Sequence, residues 1–350
     1  MFLRDIESLS ASGPPVLSYL YVSLSNICNA RCSYCDVHSA SPPVWRYGAS
    51  EVRRVLKEAR DLGCRTVHFL GGGEPLVDPR FAAAAGYCGE LGLRVVITTN
   101  GSHLEHQLRG PLRGVEVDTV VVSLDSHLAE LHDRVRGMRG LFASALAGIE
   151  CARRSAAGAR LVINHVVTRD NAAAIQEFLL FTAQLGANAV NFIPVKDRGD
   201  MSVPADEACG FAERIGNARK LARTLGMDAL VDDSAVSDWA GLALGHAPAH
   251  EYRCFFPYHA LYVDFPTGDA FPCDCTVHRQ PQSRFTAGNI CDQSLAEIWT
   301  GKPIEDLRQV LESPCDPGCK QDCDWNNMRT NAQFVQLHDI AIHSQSAGAI

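Results

Sequence analysis

Tyr19-Leu-Tyr-Val-Ser-Leu-Ser-Asn-Ile-Cys28-Asn-Ala-Arg-Cys32-Ser-Tyr-Cys35 is an apolar strand that runs directly into a cysteine loop. The spacing is Cys-x3-Cys-x2-Cys, and clustered thiols of this kind in a chain without a secretory signature point to metal chemistry before disulfides. A [4Fe–4S] cluster has four irons and is normally held by four thiolates. Three cysteines therefore leave one iron open to something that is not protein. His38 offers an alternative, a Cys3His zinc site with Cys28, Cys32 and Cys35. Structural zinc sites usually staple small modules, whereas this loop belongs to a long α/β chain, so iron–sulfur is the preferred reading.

Outward from the loop, strand-like runs alternate with amphipathic stretches: Tyr19–Leu24, Thr66–Leu70, Arg94–Thr98, Thr119–Leu124, Arg160–Val167 and Ala189–Ile193. One helix is expected from a Ser50 cap to Gly63, burying Val52, Val55, Leu56, Ala59 and Leu62. Another runs from about Ala172 to Leu185 behind an Asn171 cap, with Ile175, Phe178, Leu179, Thr182 and Leu185 inward and Gly186 as its stop. Six β/α repeats predict an α/β fold with a parallel sheet, whose functional residues lie just after the strands. Those positions hold the cysteine loop, Gly71-Gly72-Gly73-Glu74-Pro75, Thr99-Asn100-Gly101 and Ser123-Leu124-Asp125-Ser126.

The cysteine loop, the GGE segment one β/α unit later and this rim together resemble the radical S-adenosylmethionine (SAM) enzymes over approximately Tyr19 to Val195. The resemblance implies a (βα)6 partial TIM barrel with a [4Fe–4S] cluster on Cys28, Cys32 and Cys35. SAM would bind the open iron. Gly72, Gly73 and Glu74 would receive its methionine amino group, Tyr34 would stack near its adenine, and Asn100, Ser123 and Asp125 would contact its ribose or methionyl part.

Cysteines return densely near the other end, at Cys254, Cys273, Cys275, Cys291, Cys315, Cys319 and Cys323. Cys254-x13-Gly268-x4-Cys273 resembles the opening of SPASM and twitch extensions, which carry auxiliary clusters. The remaining spacing, Cys315-x3-Cys319-x3-Cys323, departs from the full SPASM pattern. One auxiliary [4Fe–4S] cluster is expected, on Cys254, Cys273 and two of Cys315, Cys319 and Cys323; a zinc ribbon or scattered buried thiols is the alternative. Cys275 and a leftover Cys323 are candidate hydrogen-atom donors to a substrate radical. The expected organisation is a core over 1–195, a connecting helical region over 196–250 with a helix near Asp206–Leu225, a small cysteine-rich iron–sulfur domain over 251–330, and a tail over 331–350.

Composition narrows the class. A net charge of −8 with no basic stripe argues against nucleic acid. The first eighteen residues lack a signal-peptide run, and no stretch approaches the roughly 18 apolar residues of a membrane span, so a cytoplasmic protein without membrane contact is expected. The preferred expectation is a small-molecule substrate, a sugar, aminocyclitol or nucleoside of a natural-product pathway, oxidised by a dehydrogenase or inverted by an epimerase. An electron-donor protein such as flavodoxin or ferredoxin would be its partner. Maturation of a ribosomally made peptide by a thioether or carbon–carbon link is the alternative, disfavoured here because only about eighteen residues precede the first strand, too few for a recognition domain. A non-enzymatic electron carrier or scaffold would not explain the glycine-rich and Thr-Asn-Gly segments around an open iron.

Overall fold

The computed structural model describes residues 15–37, 47–155, 158–195, 199–246, 253–278, 284–313, 323 and 325–347. The six expected strands all form: β1 (Tyr19–Ser23), β2 (Thr66–Phe69), β3 (Arg94–Thr99), β4 (Thr119–Ser123), β5 (Arg160–Val167) and β6 (Ala189–Pro194). They pair in parallel in chain order. Between them run α1 (Ala49–Asp61), α2 (Phe81–Glu90), α3 (Leu104–Arg109), α4 (Ala129–Arg136), α5 (Leu141–Ser155) and α6 (Ile175–Gln184). The sheet is open, because β7 and β10 lie at opposite ends of its strand order. This is the (βα)6 partial barrel that the family resemblance implies, built on the parallel sheet that the alternation predicts.

Two helix starts differ from expectation. Helix α1 begins at Ala49 behind Gly48 and has no side-chain cap, since the Ser50 hydroxyl donates to Glu51 instead. A 3-10 turn over Ala172–Ala174 precedes α6, and Asn171 spends its side chain on the sheet, accepting from Thr168 N and donating to the Asp125 and Val166 carbonyls. The stops hold: Gly63 and Gly186 take φ of 98° and 76°, where a side chain would be strained.

The strands alternate between two environments, as a period of two dictates. Val95, Ile97, Val120, Val122, Leu161, Ile163 and Val190 belong to the large core with the helices. Val96, Val121, Val162 and Ala189 turn to the other face and form a small apolar floor with Leu230.

Both sheet edges are extended by the second half of the chain. Past the expected helix, observed as α7 (Ala208–Thr224), the two-residue strand β7 (Asp228–Ala229) pairs in parallel with β6, and α8 (Asp233–Ala243) follows. On the opposite edge β8 (Ala260–Asp264) pairs in parallel with β1 along its whole length, Tyr19 against Ala260 through Ser23 against Asp264. β9 (Asp269–Phe271) and β10 (Gly288–Asn289) continue antiparallel. The cysteine-rich segment is thus fused to the edge of the strand that delivers the cysteine loop. After α9 (Leu295–Thr300) and α10 (Lys302–Glu312), residues 331–347, expected as a tail, continue the helix α11 (Trp325–Ala347). Trp325 and Phe334 are fully buried there, and the Trp325 ring lies 6.3 Å from Phe211 and 5.8 Å from Trp239. No helix among the described residues is long and apolar enough to cross a membrane.

Because Trp325 fills space between α7 and α8, Trp325→Ala is expected to cost about 3–5 kcal/mol through the cavity it leaves. Urea unfolding under anaerobic conditions measures it, and an unchanged midpoint would mean that α11 does not stabilise the barrel.

Candidate functional site

The cysteine loop has no regular structure of its own, and three neighbouring segments hold it. The first is the glycine run after β2. A Cβ on Gly72 would lie 2.0 Å from Ser23 Oγ, and one on Gly73 would lie within 2.8 Å of the Ile27 N, C and O atoms. Only glycine lets this turn lie on the loop's backbone, where Glu74 N donates to Ile27 O at 2.8 Å. Glycine had been expected for close approach to a ligand; part of that requirement comes from the loop itself.

Glu74 is buried and ties this turn to the segment after β3. Its Oε1 accepts from Leu76 N and Thr99 Oγ1 (3.0 and 2.6 Å), and Oε2 accepts from Asn100 N at 2.6 Å. A carboxylate offers about four acceptor positions, so Oε2 retains room for one more donor. Burial pushes its carboxyl up, against the pull of these hydrogen bonds. Asn100 in turn donates to Asn29 Oδ1 inside the cysteine loop at 2.9 Å, and Asn29 donates to Ser102 Oγ at 2.8 Å.

The third support is the end of α4. Arg31 N and Ser33 N donate to the Arg136 and Val135 carbonyls at 3.1 and 2.9 Å. Gly137, at φ 61°, closes the helix where a Cβ would meet Arg31 O at 2.2 Å. Beneath this contact lies a buried ion pair. Arg136 donates from Nε to Asp125 Oδ2 (2.6 Å) and from Nη2 to Asp125 Oδ1 (3.0 Å), while Nη1 points at Cys32 Sγ, 3.9 Å away. Tyr34 OH donates to Asp125 Oδ2 at 2.8 Å and Val166 N to Oδ1 at 3.0 Å. All four acceptor positions of the Asp125 carboxylate are met by protein donors. Burial pushes the Asp125 carboxyl up, but the Arg136 charge and hydrogen bonds outweigh it and hold it below the usual range. The Arg136 guanidinium also lies 5.5 Å from the centre of the Tyr34 ring.

Ser123, expected at the rim, lies level with Asn164 and Asn191 on neighbouring strands, on the face of the apolar floor. Asn191 Nδ2 donates to Asn164 Oδ1 at 3.1 Å, and its own Oδ1 is buried without a partner. These two asparagines were not anticipated. Their signal in sequence is a polar residue two places beyond an inward-facing small or branched one, in strands that are otherwise apolar.

The three loop thiols sit close enough that charge on Cys32 and Cys35 disfavours charge on Cys28, whose thiol burial pushes up to about 11. Among the described residues no three Cys, His, Asp or Glu side chains converge on a single ion. A cubane asks for something different, since each thiolate takes a separate iron. Three adjacent soft donors, with Cys28 and Cys32 half-buried and Cys35 exposed, fit a cluster with one corner open. The spare position on Glu74 suits an ammonium group. His38, the fourth ligand of the zinc alternative, lies outside the described residues.

At the other end, Cys254 and Cys275 are half-buried and Cys273 is buried. The first turns of α11 face them: Asn327 donates to Asp274 Oδ1 (2.8 Å) and Cys275 Sγ (3.2 Å), and Asn331 accepts from Phe255 N at 2.8 Å. Cys323 stands two residues before that helix. Cys315 and Cys319 lie outside the described residues. Cys291 is exposed, its sulfur against the Tyr47 hydroxyl. Cys64, Cys88 and Cys151 are buried core residues.

A family model described as the Radical SAM superfamily matches residues 22–182, and one for an iron–sulfur cluster-binding domain, SPASM, matches residues 254–324. The chain thus carries a radical SAM domain and a SPASM domain. Radical SAM proteins bind SAM at a [4Fe–4S] cluster, and the SPASM match adds auxiliary iron–sulfur binding. An AdoMet-dependent heme synthase of Methanosarcina barkeri (strain Fusaro / DSM 804) is 36% identical over 51% of this chain, which spans about half, 52%, of that synthase. A PqqA peptide cyclase of Gluconobacter oxydans (strain 621H) is 24% identical over 93% of this chain and 89% of its own. The crystal structure of Streptococcus suis SuiB bound to S-adenosylmethionine shares the fold, with a TM-score of 0.65 at 18% identity, covering 89% of this chain and 72% of that one.

Two outcomes follow for this radical SAM fold. Gly73→Ala should displace the cysteine loop and remove roughly four irons per chain with helix content unchanged; full iron content after anaerobic reconstitution would refute the glycine argument. Buried His132 and His165 are held neutral, each pushed down by burial to about 4 from 6.5. The unfolded chain takes up these protons and the folded one does not, so the stability they confer is complete above pH 6.5 and is lost as pH falls towards 4. His165→Gln should flatten this loss by about 1.4 kcal/mol per pH unit in that window, read from urea midpoints between pH 7 and 4.5; an unaltered slope would refute it.

Proposed function

We propose that this radical SAM enzyme matures a ribosomally made peptide by forming a thioether or carbon–carbon crosslink. The observation that carries this is the match to a peptide cyclase along nearly the whole of both chains, 93% and 89%, cysteine-rich region included. The sequence had favoured a small polar substrate; no relative described above supports that preference. The 36% match to a heme synthase favours a heme precursor as the second reading, but that match extends over only half of either chain.

In the proposed site Cys28, Cys32 and Cys35 hold the cluster. When bound, the cluster and SAM supply a 5′-deoxyadenosyl radical that takes a hydrogen atom from a substrate C–H. Glu74 orients the SAM ammonium through its spare Oε2 position, while Thr99, Asn100 and Leu76 fix the carboxylate rotamer. Asn191 Oδ1 and Ser123 accept from ligand hydroxyls above the valine floor, which excludes water from beneath. A crosslink removes two hydrogens from the peptide, so its second electron needs an acceptor. Cys254 and Cys273, with two of Cys315, Cys319 and Cys323, would hold the auxiliary cluster that accepts it. Cys254 precedes β8 and Cys273 follows β9, the hairpin whose first strand pairs with β1.

The test is anaerobic reconstitution, expected to give about eight irons per chain for two clusters, followed by turnover with short peptides encoded beside the gene. A peptide lighter by two hydrogen atoms, with SAM cleavage lost in Cys28→Ala, supports the proposal. An unchanged peptide alongside a converted sugar, aminocyclitol or porphyrin would overturn it.

A further inference from the structure

We propose that Arg136 and Asp125 form a charge pair that sets the reduction potential of the cluster held at Cys28, Cys32 and Cys35. Arg136 is the positioning residue for the loop. The inference rests on the assignment of those three cysteines as ligands and goes beyond it, because it makes the three thiolates unequal.

Arg136 is deeply set, with 8% of its side chain exposed, and Asp125 is wholly enclosed. One guanidinium edge is spent on Asp125, and the remaining Nη1 is the group that faces Cys32 Sγ at 3.9 Å. Arginine alone among side chains carries a planar fork that can grip a carboxylate along one edge and still present an N–H in a third direction. Its main-chain carbonyl meanwhile holds Arg31 N, one residue before Cys32. The same residue therefore fixes where the Cys32 sulfur lies and what charge it sees.

Reduction adds negative charge to a cluster, and potentials respond to nearby charge, hydrogen bonds to sulfur and solvent exposure. In this enclosed setting the interaction is weakly screened. The Arg136 cation favours the reduced state and raises the potential; the Asp125 carboxylate bonded to it offsets part of that effect. Tyr34 OH and Val166 N complete the shell of Asp125 and keep its charge in place. Arg136 is thus a cationic side chain that meets a thiol of this loop directly.

The opposed charges give a signed test. The reconstituted full-length protein is poised at a series of potentials and read by electron paramagnetic resonance, with the signal absent from Cys28→Ala taken as that of the N-terminal cluster. Arg136→Gln should shift its midpoint to more negative values, Asp125→Asn to more positive ones, and the double variant should return towards wild type. A purely structural role would reduce iron content in all three without opposed shifts. Shifts of the same sign, or wild-type midpoints in both single variants, overturn the proposal. If Arg136→Gln does not retain iron, Asp125→Asn decides, and an unchanged or lowered midpoint there is equally fatal. Should Cys28→Ala remove no signal, the ligand assignment has failed instead.

Discussion

On the proposed reading a loop of eight residues with no hydrogen-bonded ladder presents three thiols to one cluster, and three neighbouring segments hold it in place. The enclosed Asp125–Arg136 pair is the stiffest of the restraints. Removing one member of such a pair typically costs roughly 3–5 kcal/mol, because the other charge is left stranded. Each neutral hydrogen bond from Asn29 or Ser33 is worth about 1 kcal/mol. The loop is therefore anchored at α4 and trimmed elsewhere, and the glycines after β2 matter chiefly because they let a second segment come near enough to trim it.

The same economy explains the sheet. A parallel strand buried on both faces needs a partner on each edge, and β1 finds its second partner in β8, far along the chain. The cysteine-rich region gains a frame from that pairing. The fold is common to enzymes with different substrates, so the peptide proposal draws on the length of the shared chain and not on the architecture.

Much of this was legible beforehand. Strand runs such as Arg94–Thr98 announce themselves through branched residues between turn signals, and the cysteine spacing carries its own chemistry. What stayed hidden depends on distance in sequence. β7 is two residues long and has no pattern to read. β8 is an apolar run whose partner, β1, no local rule could name. Arg136 looks like an ordinary basic residue closing a helix favourably with respect to its dipole, and only the fold shows that it turns inward. Asp125 was noticed for its place after a strand, but its four filled acceptor positions come from three separate elements.

The pairing of β1 with β8 also has a consequence in time. Ser18 and His259, bonded beside that seam, are 241 residues apart. A ribosome adding about 5–20 residues per second takes on the order of ten to fifty seconds to cover that interval. Throughout it β1 stands without its β8 partner on one edge, and bare strand edges recruit other chains. That edge is covered only once β8, about three quarters of the way along this sequence, has been made.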